Sequence, residues 1–151
     1  MKICISADHG GFKLKNLLIP YIKELGFEID DLGEKKINPN DDYPDTTEVV
    51  AKSISNNTYE KGIVLCGSGV GASVVANKFK NVRAAICHDL YSASQGVEHD
   101  DMNILCLGGR IISEALAKDI VKEFINAKFQ SQERFSRRKK KIENIENRNF
   151  N

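Results

Sequence analysis

The sequence predicts an α/β protein, Rossmann-like in its five-stranded parallel sheet, and three observations lead there. Five short apolar runs alternate with segments of helical periodicity, and such alternation implies right-handed crossovers between parallel strands covered by helices on both faces. Glycine-rich turns follow the first, third and fifth runs, where a doubly wound sheet receives its ligands. At 151 residues the chain suits a single domain over 1–151, large enough to bury roughly two thirds of its unfolded surface.

The elements follow in order. KICIS (2–6) is the first strand and runs into Ala7-Asp8-His9-Gly10-Gly11. FKLKNLLIPYIKELG (12–26) has apolar spacing near 3.6, but Pro20 inside it should kink or split the helix because proline removes a backbone donor and crowds the preceding turn. FEIDDL (27–32) is the second strand. GEKKINPNDDYP (33–44) has the glycine, prolines and polar residues of a surface loop able to line a site. PDTTEVVAKSISNN (44–57) is helical, GIVLC (62–66) the third strand, and GVGASVVANKF (69–79) the helix after it. VRAAIC (82–87) and NILCLG (103–108) are strands, with helices at LYSASQGVEHD (90–100) and SEALAKDIVKEFINAKF (113–129). From residue 130 the chain changes character, with six positive side chains within 134–141 and little apolar content. This basic C-terminal arm, 130–151, is either a solvated helix with a frayed end or a limb whose arginines reach an anionic ligand across a subunit boundary.

Composition excludes several classes. Hydrophobic residues make up 41% and charged residues 28%, and the formal charge is +1, so no strong field marks the chain for nucleic acid as a whole. No apolar run reaches about 18 residues, and the opening MKICISADHGG lacks the long apolar core of a signal peptide. Cys4, Cys66, Cys87 and Cys106 lie in or at the ends of apolar runs without CxxC spacing, which argues against a zinc knuckle or a disulfide framework. No membrane partner and a cytoplasmic location are expected.

Three turns carry the chemistry. Gly67, Gly69 and Gly71 alternate between a strand and a helix, so their amides can point into one concavity beside the positive end of the helix, an anion nest. The same letters fit a dinucleotide fingerprint loosely, with Asp89 about 20 residues on; a nucleotide-binding module is therefore an alternative, as is a bare tight turn. Cys66 is either a buried small hydrophobe or a reactive group, since a helix N-terminus favours the thiolate. Cys4, Cys87 and Cys106 lack such a loop and belong to the core. His9 follows Asp8 in a strand-to-helix turn and reads as a ligand contact. His99, flanked by acids in VEHDDMN, is either a surface histidine or a catalytic one.

Together, DHGG (8–11), DYP (42–44), CGSGVGAS (66–73), ANKF (76–79), EHDDMNIL (98–105), GGR (108–110) and the tail R-x-x-x-R closely resemble ribose-5-phosphate isomerase type B, in order and spacing over nearly the whole chain. The resemblance implies a three-layer α/β/α sandwich with strand order 2-1-3-5-4 and a C-terminal helical arm. It implies cofactor-free interconversion of ribose 5-phosphate and ribulose 5-phosphate by a homodimer or a dimer of dimers. Related members act on allose 6-phosphate or galactose 6-phosphate, which are the alternatives here.

By the same resemblance Cys66 is the base that moves a proton between C2 and C1 through a cis-enediolate. Ser68 and the amides around Gly67, Gly69, Val70 and Gly71 would stabilise the oxyanion, and each well-placed donor contributes roughly 3–4 kcal/mol in other enzymes. His99 would open the furanose ring, assisted by Asp8. The phosphate would be held by His9 and Arg110 from one subunit and by Arg134 and Arg138 from the arm of the other, guanidinium forks suiting a dianion. Tyr43 and Asn103 would line the sugar pocket. Asp100 stands where asparagine is usual in the family and Phe135 where histidine is usual, so Asp100 brings a negative charge to a sugar contact. Matching Ile142 assigns the second phosphate contact to Arg138 rather than Arg137.

Overall fold

In the computed structural model, which describes residues 1–150, five strands form one all-parallel sheet: β1 (Lys2–Ala7), β2 (Glu28–Asp31), β3 (Lys61–Cys66), β4 (Ala84–Ile86) and β5 (Ile104–Gly108). Their order is β2-β1-β3-β5-β4, as expected. Six helices accompany them: α1 (Phe12–Glu24), α2 (Tyr43–Ser55), α3 (Val70–Ala76), α4 (Leu90–Asp100), α5 (Glu114–Asn126) and α6 (Glu133–Asn149).

The period of two along each strand sorts the core into two layers. Ile3, Ile5, Ile63, Leu65, Leu105 and Leu107 face α1, α4 and α5. Cys4, Val64, Cys66, Ile104 and Cys106 face α2 and α3. β3 lies in the middle and all six of its residues are buried; each large aliphatic side chain so enclosed contributes about 1.5–3 kcal/mol. Register pairs Cys66 with Gly108 at one pole of the sheet and Gly62 with Ile104 at the other.

Several expected boundaries shift, each for a physical reason. Pro20 does not split α1: both it and Asn16, four residues back, are exposed, so water can reach the carbonyl that loses its partner. The strand expected over 82–87 pairs with β5 only over Ala84–Ile86: the Arg83 N–H before it goes to the Asn103 side chain, and on the open edge Asn77 accepts from the Ala84 amide at 2.9 Å and donates to the Ala84 carbonyl at 2.8 Å. That side chain also blunts the sheet's edge. The helix expected to 129 stops at Asn126, where Lys61 reaches from β3 to cap it, donating to the carbonyls of Phe124, Ile125 and Ala127. Residues 133–149 are helical rather than frayed, and fully buried Phe135 anchors that helix near its start.

One buried cation fixes the long loop between β2 and α2. Lys15 has no exposed surface, and its ammonium donates to both Asp31 carboxylate oxygens at 2.9 and 3.1 Å and to the Glu34 carbonyl at 2.7 Å. A buried charge is tolerable only when paired and hydrogen-bonded in this way. It ties α1 to the start of loop 33–42, whose far end lies against His9.

Candidate active site

The carboxyl ends of β1, β3 and β5 converge on a cleft of about 420 Å³ lined by Asp8, His9, Tyr43, Cys66, Gly67, Ser68, Gly71, Arg110 and Ile111. Contact between the turns is close: a Cβ on Gly10 would stand 2.8 Å from the Gly67 amide nitrogen. Gly69 has φ +82°, a left-handed conformation that turns the chain from β3 into α3. The Tyr43 ring lies over Gly71, where a Cβ would meet it at 2.6 Å.

Cys66 is buried apart from the face it shows the cleft. Its Sγ accepts the Gly69 N–H at 3.1 Å. The other thiols differ. Burial pushes Cys4 up to about 12 and Cys87 to about 11, and raises Cys106 as well, so all three stay protonated. Ser68 Oγ accepts from the Val70 amide at 3.2 Å and leaves its own proton free. No acceptor among the described residues takes the amides of Gly67 and Ser68, which leaves two donors beside the sulfur for a developing oxyanion.

Asp8 closes its own turn: Oδ1 accepts from Gly10 at 2.8 Å and Gly11 at 3.2 Å, and its second oxygen is free for a hydroxyl. Asp41 Oδ1 accepts from both the backbone and the Nδ1 of His9. Atoms of Asp8, His9 and Asp41 lie within 4.8 Å of one another, and Oδ1 of each carboxylate accepts N–H groups of the turn after β1. The Arg110 guanidinium lies beside Gly67, within 2.9 Å of a Cβ placed there. Arg83 and Arg137 are paired with Asp101 and Glu133, whereas Arg110, Arg134 and Arg138 pair with no carboxylate among the described residues.

The remaining expected residues lie elsewhere, and the direction of α4 is the reason. That helix runs back against the strands, so it carries His99 and Asp100 toward the opposite pole. Asn103 immediately precedes β5 there; its carbonyl accepts from Gly62 at 2.8 Å, and four residue steps of about 3.3 Å each separate Gly62 from Cys66. The Asn103 amide is also occupied, accepting from Arg83 N–H and donating to the Asn81 carbonyl, so within one chain it holds the turn before β4 and lies apart from the Cys66 cleft. Asp100 faces a groove with Arg83, Asn77 and Ile142.

His99 forms a second cluster with the arm. Its ring stacks on Phe135 at 4.0 Å and 17°, the Arg134 guanidinium stands 4.7 Å over the other aromatic partner's ring, and Gln95 bonds Nδ1 at 2.9 Å. Lys139 pairs with Asp101 at 2.6 Å and holds α6 to the end of α4. One chain therefore carries two separate clusters: Cys66 with Asp8, His9 and Arg110 at one pole, and His99 with Arg134 at the other.

Two contributors had no signal in the sequence reading. Asp41 looks like any loop acid until the loop folds over His9. His88 accepts the Gly108 N–H at 3.0 Å through Nε2 and so braces the turn that carries Arg110.

Comparison with known proteins adds the following. Residues 3–142 match the model of the Ribose/Galactose Isomerase family. The ribose-5-phosphate isomerase B of Escherichia coli is 37% identical over 129 residues, 85% of this chain and 86% of that one. The D-erythrulose-4-phosphate isomerase of Pectobacterium atrosepticum is 35% identical over 130 residues, 86% of each chain. Among solved structures, ribose-5-phosphate isomerase B from Mycoplasma genitalium with bound ribulose 5-phosphate superposes with a TM-score of 0.91 at 37% identity, covering 97% of this chain and 96% of that one.

Proposed function

Because the chain belongs to the ribose/galactose isomerase family, we propose that it is a ribose-5-phosphate isomerase of type B that interconverts D-ribose 5-phosphate and D-ribulose 5-phosphate. The observation that carries this reading is the cleft where a thiol, two free backbone amides, His9 and an unpaired Arg110 face one another. Cys66 as thiolate removes the C2 proton of the open-chain aldose, and the electrons move into the C1–C2 bond to give an enediolate. A proton passes between the two oxygens, and the Cys66 thiol returns its proton to C1. The same group serves both directions, as base toward C2 and as acid toward C1. Amides of Gly67 and Ser68, with the Ser68 hydroxyl, stabilise the charged oxygen. No cofactor takes part.

The distribution of groups over two poles supports a homodimer. A second copy that brings its His99, Arg134 and Arg138 to this cleft supplies the ring-opening acid and completes the phosphate clamp, and an isologous contact fills both sites at once. Apolar Val70, Val74, Leu90, Tyr91 and Ile111 are exposed at the pole that holds Cys66, a surface of the kind a partner covers. In this reading His99 and the arm arginines act together and in trans. A reducing cytoplasm suits the four free thiols.

Relatives in this family include one named for a four-carbon ketose phosphate, so chain length of the sugar is the open variable within the same chemistry. Turnover on ribose 5-phosphate, D-erythrulose 4-phosphate, allose 6-phosphate and galactose 6-phosphate decides it. The expected result is highest kcat/KM on ribose 5-phosphate, abolished by Cys66→Ala with the folded state intact. Preference for another sugar, or near wild-type turnover in that variant, removes the substrate or the base assignment respectively.

A further inference from the structure

The carboxylate nearest to His9 comes from loop 33–42. Asp41 Oδ1 lies 2.6 Å from His9 Nδ1 and accepts the His9 backbone N–H at 3.1 Å, and its side chain is only 7% exposed. An ionised carboxylate accepts and cannot donate, so the Nδ1 contact requires the proton to sit on that nitrogen. The imidazole, 35% exposed on the cleft side, then has Nε2 as its one ring nitrogen available to a ligand.

We propose that Asp41 is a positioning residue for the phosphate end of the cleft, acting through His9: it fixes the ring with Nδ1 protonated and Nε2 turned to the ligand. The proposal rests on the isomerase reading for the placing of a phosphate against His9 and Arg110. A phosphate dianion has no proton to offer, so Nε2 must donate to it, and the bound ring is then an imidazolium lying between Asp41 and the phosphate. The charged and titratable groups that line the cleft with it are Asp8 of its own turn, Tyr43 at the start of α2, Cys66 at the end of β3 and Arg110 from the turn after β5, with Asp41 of the loop behind the ring. With Arg110 opposite, the dianion meets two cations while the Asp41 charge stays behind the ring. The same carboxylate accepts the backbone N–H, which sets the distance between loop and turn. Removing it therefore frees the ring to rotate and lets the other tautomer form.

The test compares wild type, Asp41→Asn and Asp41→Ala by three measurements: long-range ¹⁵N–¹H spectra of His9, assigned by loss of its signals in His9→Gln; the dissociation constant for inorganic phosphate; and KM and kcat on ribose 5-phosphate. In wild type the spectra should show Nδ1 protonated. In Asp41→Ala the Nε2–H tautomer should appear, and the phosphate constant and KM should rise together by about tenfold with kcat within about twofold, the size expected when a charge-assisted hydrogen bond is lost. Asp41→Asn keeps an oxygen acceptor, so it should retain the Nδ1–H tautomer and recover most of the affinity. Asp41→Ser is polar but too short to reach the ring, and it repeats the test should Asp41→Ala not fold. An unchanged tautomer, an unchanged phosphate constant, or a loss confined to kcat overturns the proposal. If wild type turned over no sugar phosphate, the isomerase reading would fail, while the spectra and the phosphate titration would still decide the role of Asp41.

Discussion

Among single residues, the four thiols show how position decides chemistry. Cys4, Cys87 and Cys106 sit within the packed layers, and burial raises all three; Cys66 ends its strand, where the chain turns and offers sulfur a backbone N–H. His88 gives a case with a definite pH sign. Burial, opposed by neighbouring Asp89, holds its imidazole below the ordinary range, and neutral Nε2 accepts the Gly108 N–H. The unfolded chain therefore binds a proton that the folded chain refuses. Stability should be full above the ordinary histidine value of about 6.5 and should fall as pH drops through it toward the lowered folded value. His88→Gln can still accept that N–H without titrating, so its melting temperature should fall less than wild type between pH 7.5 and 5.5. Equal acid slopes in the two proteins would remove His88 as the cause. The thiol's turn was legible from glycine spacing, a local pattern. The roles of His88 and Asp41 were not, because each depends on a contact with a residue 20 or 32 positions away.

At the level of elements, α6 shows how little apolar surface a polar helix needs to dock. Phe135 is its one buried residue, wedged against His99, and Lys139–Asp101 and the Glu146 contact to the Asn81 amide at 2.7 Å hold its length. Truncating a buried phenylalanine costs about 3–5 kcal/mol, more than surface ion pairs of this kind restore. Phe135→Ala should therefore release α6 before the sheet loosens. Hydrogen exchange should show amides of 133–149 losing protection while those of β1, β3 and β5 keep theirs, and KM should rise as Arg134 loses its seat. Full protection of α6 in the variant would mean that the charged contacts carry the docking. The sequence offered a frayed helix and a reaching limb as alternatives; a single aromatic at 135, in a stretch of little apolar content, was too weak a signal to choose between them.

For the whole molecule, the separation of the His99 cluster from the Cys66 cleft makes a prediction that a single-chain site cannot meet. If His99 serves the Cys66 of a second copy, mixing Cys66→Ala with His99→Asn and allowing subunits to exchange creates heterodimers with one intact site and one doubly altered site. Random pairing in a twofold dimer should then restore about a quarter of wild-type activity. Were His99 to act within its own chain, every site in the mixture would carry a lesion and no activity would return. Replacing His99→Asn by a chain ending at residue 129 should give the same recovery, since the arm and His99 lie at one pole.

The amino-acid order by itself determined the alternation of strands and helices, the glycine turns after β1, β3 and β5, and the thiol among them, because periodicity and turn chemistry act over a few residues. Only the tertiary structure decided which of those groups meet. Parallel strands require each helix to return the chain to the far end of the sheet, so α4 takes His99 away from Cys66 while loop 33–42 folds Asp41 onto His9. Those distances depend on packing between distant segments, which no short stretch of sequence encodes.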